Sequence, residues 1–173
     1  MLNSQSCYQS LKILGVTISD HLSVNQHATN VIASCTQTFH ALWVLRGHEL
    51  NKDALEGYFK AVVIAKLTYA SPVWWGFTTA HDRQKMECVI RRGVHFGYCT
   101  TNQAPLAELV AEADETLFKN ILHIKQHVLH QLLPDKTQST YNLRSRKHDC
   151  SLTVKHSVTA NEFVTRMSYK DMY

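Results

Sequence analysis

Apolar residues recur at helical spacing along most of this chain. Val24, Ala28, Val31, Ile32, Cys35, Phe39 and Leu42 share one face of a helix running to about Gly47. Ser23-Val24-Asn25-Gln26 has the form of a capping box that would begin it. Asn51 can cap a second helix, with Leu50 and Leu55 placed as a hydrophobic staple. Leu55, Tyr58, Phe59, Val62, Val63 and Tyr69 form its apolar side, and Ser71-Pro72 should end it, because a residue before proline leaves the α region. A third helix is expected from about Asp82 to Val94, with Met86, Val89, Ile90 and Val94 inward. Pro105 suits the first turn of a short fourth helix through Ala113. Asp114 would cap a fifth, apolar at Leu117, Phe118, Ile121, Leu122, Val128, Leu129 and Leu132 and ended by Leu133-Pro134.

One stretch breaks this pattern. Leu11–Asp20, LKILGVTISD, reads as an apolar β-strand through Ile13, Val16, Thr17 and Ile18, interrupted by Gly15. At the other end, DKTQST is a polar linker, YNLRSRKHD is basic and loop-like, and LTVK suits a short extended piece. Asn161 is placed to cap a final helix toward Tyr173. Three segments follow: a β segment over 1–22, a helical body over 23–133 and a basic tail over 134–173.

Charge locates the candidate partners. Up to Asp135 the chain carries 11 Lys and Arg against 11 Asp and Glu, and from Lys136 onward 7 against 3. The excess of +4 lies in the tail, which points to a polyanion. Arg144, Arg146, Lys147 and His148 place four donors within five residues and are the leading candidates for phosphate contact. Lys85 and Arg92, seven apart on the third helix and flanked by Arg91, either track a phosphate backbone or form an ordinary wet face. Tyr69, Trp74, Trp75 and Phe77 read as core anchors before base-stacking rings.

Other chemistry is not encoded in recognisable form. His123, His127 and His130 share a helix face but lie opposite the apolar side with no carboxylate among them, so a solvated face is favoured over a metal site. Cys7, Cys35, Cys88, Cys99 and Cys150 are widely spaced and read as reduced thiols. There is no Asp-Asp pair, phosphate-binding glycine loop or nucleophile elbow, hence no expected cofactor, metal or small-molecule substrate. No signal peptide or membrane span is apparent, and a cytoplasmic or nuclear location is expected.

KILGVTISD followed by His27, then LTYASPVWWG, ADETLFKNI, HVLHQLLP, YNLRSRKHD and NEFVTRMSYKDMY together resemble the C-terminal end of non-LTR retrotransposon reverse transcriptases, of the jockey-like and chicken-repeat-like kind. The resemblance spans nearly the whole chain. It implies a mainly α fold: a helical thumb-like bundle, a short N-terminal β-strand or hairpin, and a basic, largely irregular tail ending in a short helix. Leu14, Gly15 and Val16 match the primer-grip core, where Gly15 would let a nucleic-acid backbone approach and Lys12 would meet a phosphate. Arg144 and Arg146 match tail arginines of that family. The fingers and palm, with their catalytic aspartates, would lie before Met1.

The chain is therefore expected to bind RNA or an RNA/DNA duplex without sequence preference and not to polymerise DNA alone. The alternatives are a helical protein–protein module derived from the element, or the end of a longer active polymerase. Residues 1–22, lacking strand partners, are expected to be the least stable part.

Overall fold

A computed structural model of the chain describes residues 10–136, 150–152, 156 and 159–170. These are mainly helical, with a single two-stranded sheet among them.

The opening stretch is a hairpin, not one strand. β1 (Ser10–Ile13) and β2 (Val16–Ser19) pair antiparallel, with Leu11 opposite Ile18 and Ile13 opposite Val16. Leu14 and Gly15 turn the chain with φ of 46° and 87°, as a two-residue hairpin turn of this twist requires. Gly15 thus has a local reason: its backbone strains any other side chain, and an added Cβ would sit 3.6 Å from the Tyr69 ring. Val16 is buried, Ile18 packs on the core, and all four β1 residues are exposed. The Tyr69 hydroxyl donates to the Leu14 carbonyl at 3.1 Å and ties the turn to the body.

α1 (Asn25–Gly47) begins without the expected capping box. The backbone N–H of Ser23 already donates to Ser19 Oγ at 3.1 Å, so Gln26 has no donor to answer and turns to Asn30 instead. α2 (Lys52–Phe59) is capped by Asn51, whose Oδ1 accepts from the Ala54 N–H at 2.8 Å. It continues through a π-helical turn, Lys60–Ile64, into α3 (Ala65–Thr68) as one rod. The rod stops before the proline expected to end it, because Ala70 enters the left-handed region with φ of 51°. Pro72 instead stands in the first turn of α4 (Ser71–Trp74), where its missing N–H leaves no bond unmade. A 3₁₀ turn, Trp75–Phe77, leads on to α5 (Ala80–His95).

The two helices expected after Pro105 are one, α6 (Leu106–His123). Asp114 does not cap anything; it is a buried mid-helix carboxylate held by Arg166 at 3.0 Å. Beyond His123 the chain extends at Ile124, and the expected helical run to Leu132 is a 3₁₀ turn, Val128–Leu132. The final helix, α7 (Phe163–Tyr169), has Glu162 at its cap position, and Asn161 belongs to the preceding 3₁₀ turn Thr159–Asn161. α7 packs on α6. Most of the expected extended piece at 152–155 lies outside the described residues.

One core joins these elements, from Val16 and Val24 through Phe39, Phe59 and Trp74 to Val110. Fully buried side chains such as Phe59 and Trp74 each contribute roughly 2 kcal/mol or more from apolar burial. Phe59 reaches α5 only because Gly93 leaves room: a Cβ there would lie 2.3 Å from the Phe59 ring. Trp74 donates its indole N–H to the Tyr69 carbonyl at 2.9 Å and takes the His27 ring edge-on at 5.1 Å. The aromatic group around Pro72 is therefore largely core, with Trp74 and Trp75 buried and only Tyr69 mostly exposed.

Candidate nucleic-acid interface

α5 is built with two unlike sides. Thr79 and Asp82 form a reciprocal capping box that fixes its start. Met86, Val89, Ile90 and Gly93 then face the core. On the opposite side His81, Gln84, Lys85, Cys88, Arg91, Arg92 and His95 are all exposed. Both acids of the helix are engaged elsewhere. Asp82 is buried in the cap, and the Glu87 carboxylate accepts from the Leu106 N–H at 2.8 Å, at the start of α6. The outer face of α5 therefore holds no carboxylate. Lys85 to Arg92 spans about 10 Å of helix, and His81 and His95, 14 residues apart, extend the polar row to about 21 Å.

Lys85, Arg91 and Arg92 have no ion-pair partner among the described residues. Arg92 stands over the Phe39 ring at 5.6 Å, against α1. α1 itself carries no Asp or Glu over its 23 residues. Two neighbouring helices thus offer an anion a surface without their own repulsion.

Other cations are engaged by groups of the protein itself. Arg83 donates to Thr78 Oγ1 and the Trp75 carbonyl and lies over the Trp75 ring at 5.0 Å. Lys66 donates to Ser34 Oγ and Thr38 Oγ1. Lys12 is exposed on β1, on the hairpin and not on the α5 face. Burial, and secondly the charge of Lys12, hold the His27 imidazole below its usual pKa. Gly15 lies in the hairpin turn. Arg144, Arg146, Lys147 and His148 fall outside the described residues.

The three histidines read as one helix face do not share a helix. His123 Nδ1 lies 2.7 Å from the Lys119 carbonyl, to which its N–H can donate, whereas His127 Nδ1 accepts from the Leu129 N–H beyond the end of α6. Among the described residues no group of three His, Cys, Asp or Glu is placed to hold a metal. Cys35 and Cys99 are buried; burial pushes the Cys35 thiol up to about 11 and the Cys99 thiol in the same direction. No described helix is long and apolar enough to cross a membrane.

Sequence reasoning found Lys85, Arg91 and Arg92 but missed the histidines that extend their row. The signal was present: His81, Lys85, Cys88, Arg92 and His95 follow one another at steps of four and three. Comparison with protein-family models, with curated proteins and with solved structures yields no match.

Proposed function

We propose that this chain is a helical nucleic-acid-binding module that holds RNA or an RNA/DNA duplex by its phosphates along the outer face of α5. The acid-free row of Lys85, Arg91 and Arg92 with its flanking histidines carries this reading. Point charges on a helix face recognise backbone and not base edges, so the binding would be independent of sequence. The resemblance to the end of a non-LTR retrotransposon reverse transcriptase agrees with it and would make this body the thumb-side part of such a polymerase. Template–primer binding, and not phosphoryl transfer, would then be its role, since the chain includes no aspartate pair for two-metal chemistry.

The test separates helix from tail. Replacing Lys85, Arg91 and Arg92 with Ala should reduce the slope of log affinity against log salt by about 2 to 3, slightly less than one unit for each phosphate no longer neutralised. An unchanged slope would remove α5 from the interface. The same measurement on Arg144, Arg146 and Lys147 replaced by Ala reports the share carried by the tail.

A second reading is a protein-binding module, favoured by an apolar cleft of about 1140 Å³ between α4, α6 and the C-terminal segment, with Val73, Phe77, Leu117, Leu132 and Phe163 in its walls. A partner captured in the absence of nucleic acid, with no binding of labelled duplex, would replace the first reading by this one.

A further inference from the structure

The N-terminal hairpin has one apolar face, and only half of it is covered. Residues opposite each other on paired strands point to the same side of a sheet, so Leu11 and Ile13 share a face with Ile18 and Val16. Val16 is buried and Ile18 packs on the core, yet Leu11 and Ile13 of β1 are 60% and 51% exposed. Ser10, Lys12, Thr17 and Ser19 form the other, polar face. The apolar face therefore overhangs the helical body along β1.

The backbone of β1 is open at its outer edge. Beside a two-residue turn the nearest pair, Ile13 and Val16, exchanges both ladder hydrogen bonds, and bonded pairs alternate from there. Leu11 and Ile18 are the next bonded pair, so the N–H and C=O groups of Ser10 and Lys12 point away from β2. No described residue bonds them. β2 ends differently: the Ser19 N–H donates to the Ser23 carbonyl at 3.0 Å, and Ser19 Oγ accepts from the Ser23 N–H at 3.1 Å. The turn into α1 thus covers the end of that edge.

The open edge selects its occupant. Donors and acceptors alternating along an extended backbone are matched by another extended strand. The apolar overhang requires that strand to carry large apolar residues at alternate positions. Among the described residues one strand has both properties with its edge free, and it is β1 itself. Charge then decides between the two antiparallel registers that pair Lys12 within β1. Centred on Lys12, the pair would set two ammonium groups directly opposite; centred on Leu11, it sets each Lys12 opposite Ser10 of the second copy. The second register also brings the two Leu11 side chains together, with each Ile13 diagonal to Leu11 of the second copy.

We propose that two copies of the chain associate through β1, forming a four-stranded antiparallel sheet in the order β2-β1-β1-β2. The two-fold axis stands perpendicular to the sheet at Leu11, so both bodies lie on one side and the four apolar side chains fill the space between them. A lone two-stranded hairpin is marginal in water, and this pairing doubles its strands. The inference does not rest on the nucleic-acid reading.

Sedimentation of the full chain without nucleic acid, over a range of protein concentration, tests it. The mass should pass reversibly from one chain to two and stop there. Amide exchange gives a positional readout: the Lys12 N–H should exchange rapidly in the dilute monomer and slowly in the concentrated dimer. Lys12→Pro removes that outward donor without touching a bond to β2 and should leave the protein monomeric. Leu11→Lys should weaken association at least roughly tenfold, because the symmetry makes one substitution remove two apolar side chains and place two charges at the axis. Circular dichroism at the wild-type helix content shows that neither variant has lost its fold. Single chains at every concentration, or a doubled mass with fast exchange at Lys12, overturn the proposal. Association that both variants leave unchanged overturns it by placing the contact elsewhere, and growth beyond two copies by showing an edge still open. Slow exchange at Lys12 in the dilute protein also overturns it, because the chain would then cover β1 itself.

Discussion

α5 and α6 are of similar length and lie against the same core, yet they use charge in opposite ways. α5 buries or engages its two carboxylates and leaves Lys85, Arg91 and Arg92 to solvent, with only Arg83 engaged by the neighbouring turn. α6 carries Glu108, Glu112, Asp114 and Glu115, and the cations that answer two of these come from the C-terminal segment: Arg166 to Asp114 and Lys170 to Glu115. Charge on α6 is consumed in holding α7, and charge on α5 is available to a partner. What distinguishes a working surface from a structural one is the pairing, since both helices are strongly charged.

That contrast can be broken most forcefully at Arg166. Arg166→Ala leaves Asp114 buried without its partner and also frees the Pro72 carbonyl, so denaturant unfolding should report a loss of roughly 3 kcal/mol. Nucleic-acid affinity of the folded fraction should not change. Lys170→Ala, at a half-exposed pair, should cost only about 0.5 kcal/mol, and a larger loss would mean that α6 depends on both pairs equally.

Within α5 the two faces should separate as cleanly. Gly93→Ala forces a methyl group into the Phe59 ring and should destabilise by about 2 kcal/mol. Substitutions at Lys85 or Arg91 should leave the melting temperature nearly unchanged. A Gly93→Ala protein of full stability would show that the inner face adapts, and that the division between faces is weaker than the geometry indicates.

The smallest effect concerns His27, a titratable group held inside the fold. Its pKa is depressed by burial and then by Lys12, so the unfolded chain binds the proton more readily than the folded one. Stability should therefore be full above pH 6.5 and fall as pH drops below it, by at most about 1.4 kcal/mol per pH unit. In His27→Gln this part of the acid limb should flatten; parallel curves for the two proteins would place the acid sensitivity elsewhere.

Much of the architecture was legible where periodicity and local chemistry coincide. Asn51 capped the helix it was expected to cap, and Met86, Val89 and Ile90 turned inward as their spacing requires. The failures have more than one cause, distant partners in one case and local backbone in another. Asp114 looks like a cap because an aspartate before an apolar run usually is one, and only Arg166, 52 residues on, makes it a mid-helix residue. Pro72 reads as a stop, but the left-handed Ala70 had already ended the helix. The break after His123 has no marker in the neighbouring residues. Among the site residues, those at regular spacing on one helix could be found, while the engagement of Glu87, which leaves their face without a carboxylate, depends on the start of α6 19 residues on.

The π-helical turn Lys60–Ile64 gives the rod from 52 to 68 an unusual relation between length and phase. Before it, Phe59 must point at Gly93; after it, Lys66 must meet Ser34 and Thr38 of α1, and Leu67 must be buried. Each residue of ordinary α-helix advances the face by about 100°. A π-helical turn holds one residue more than the α-helical turn it replaces, as the bond from the Ala65 N–H back to the Lys60 carbonyl shows. Deleting one residue within it would return the rod to ordinary α-helix with its two faces close to their present register. Inserting one into the α-helical part would instead swing everything beyond it by about 100° and take Lys66 from its hydroxyls and Tyr69 from the hairpin carbonyl. This rod should therefore accept the loss of a residue at the turn more readily than a gain elsewhere.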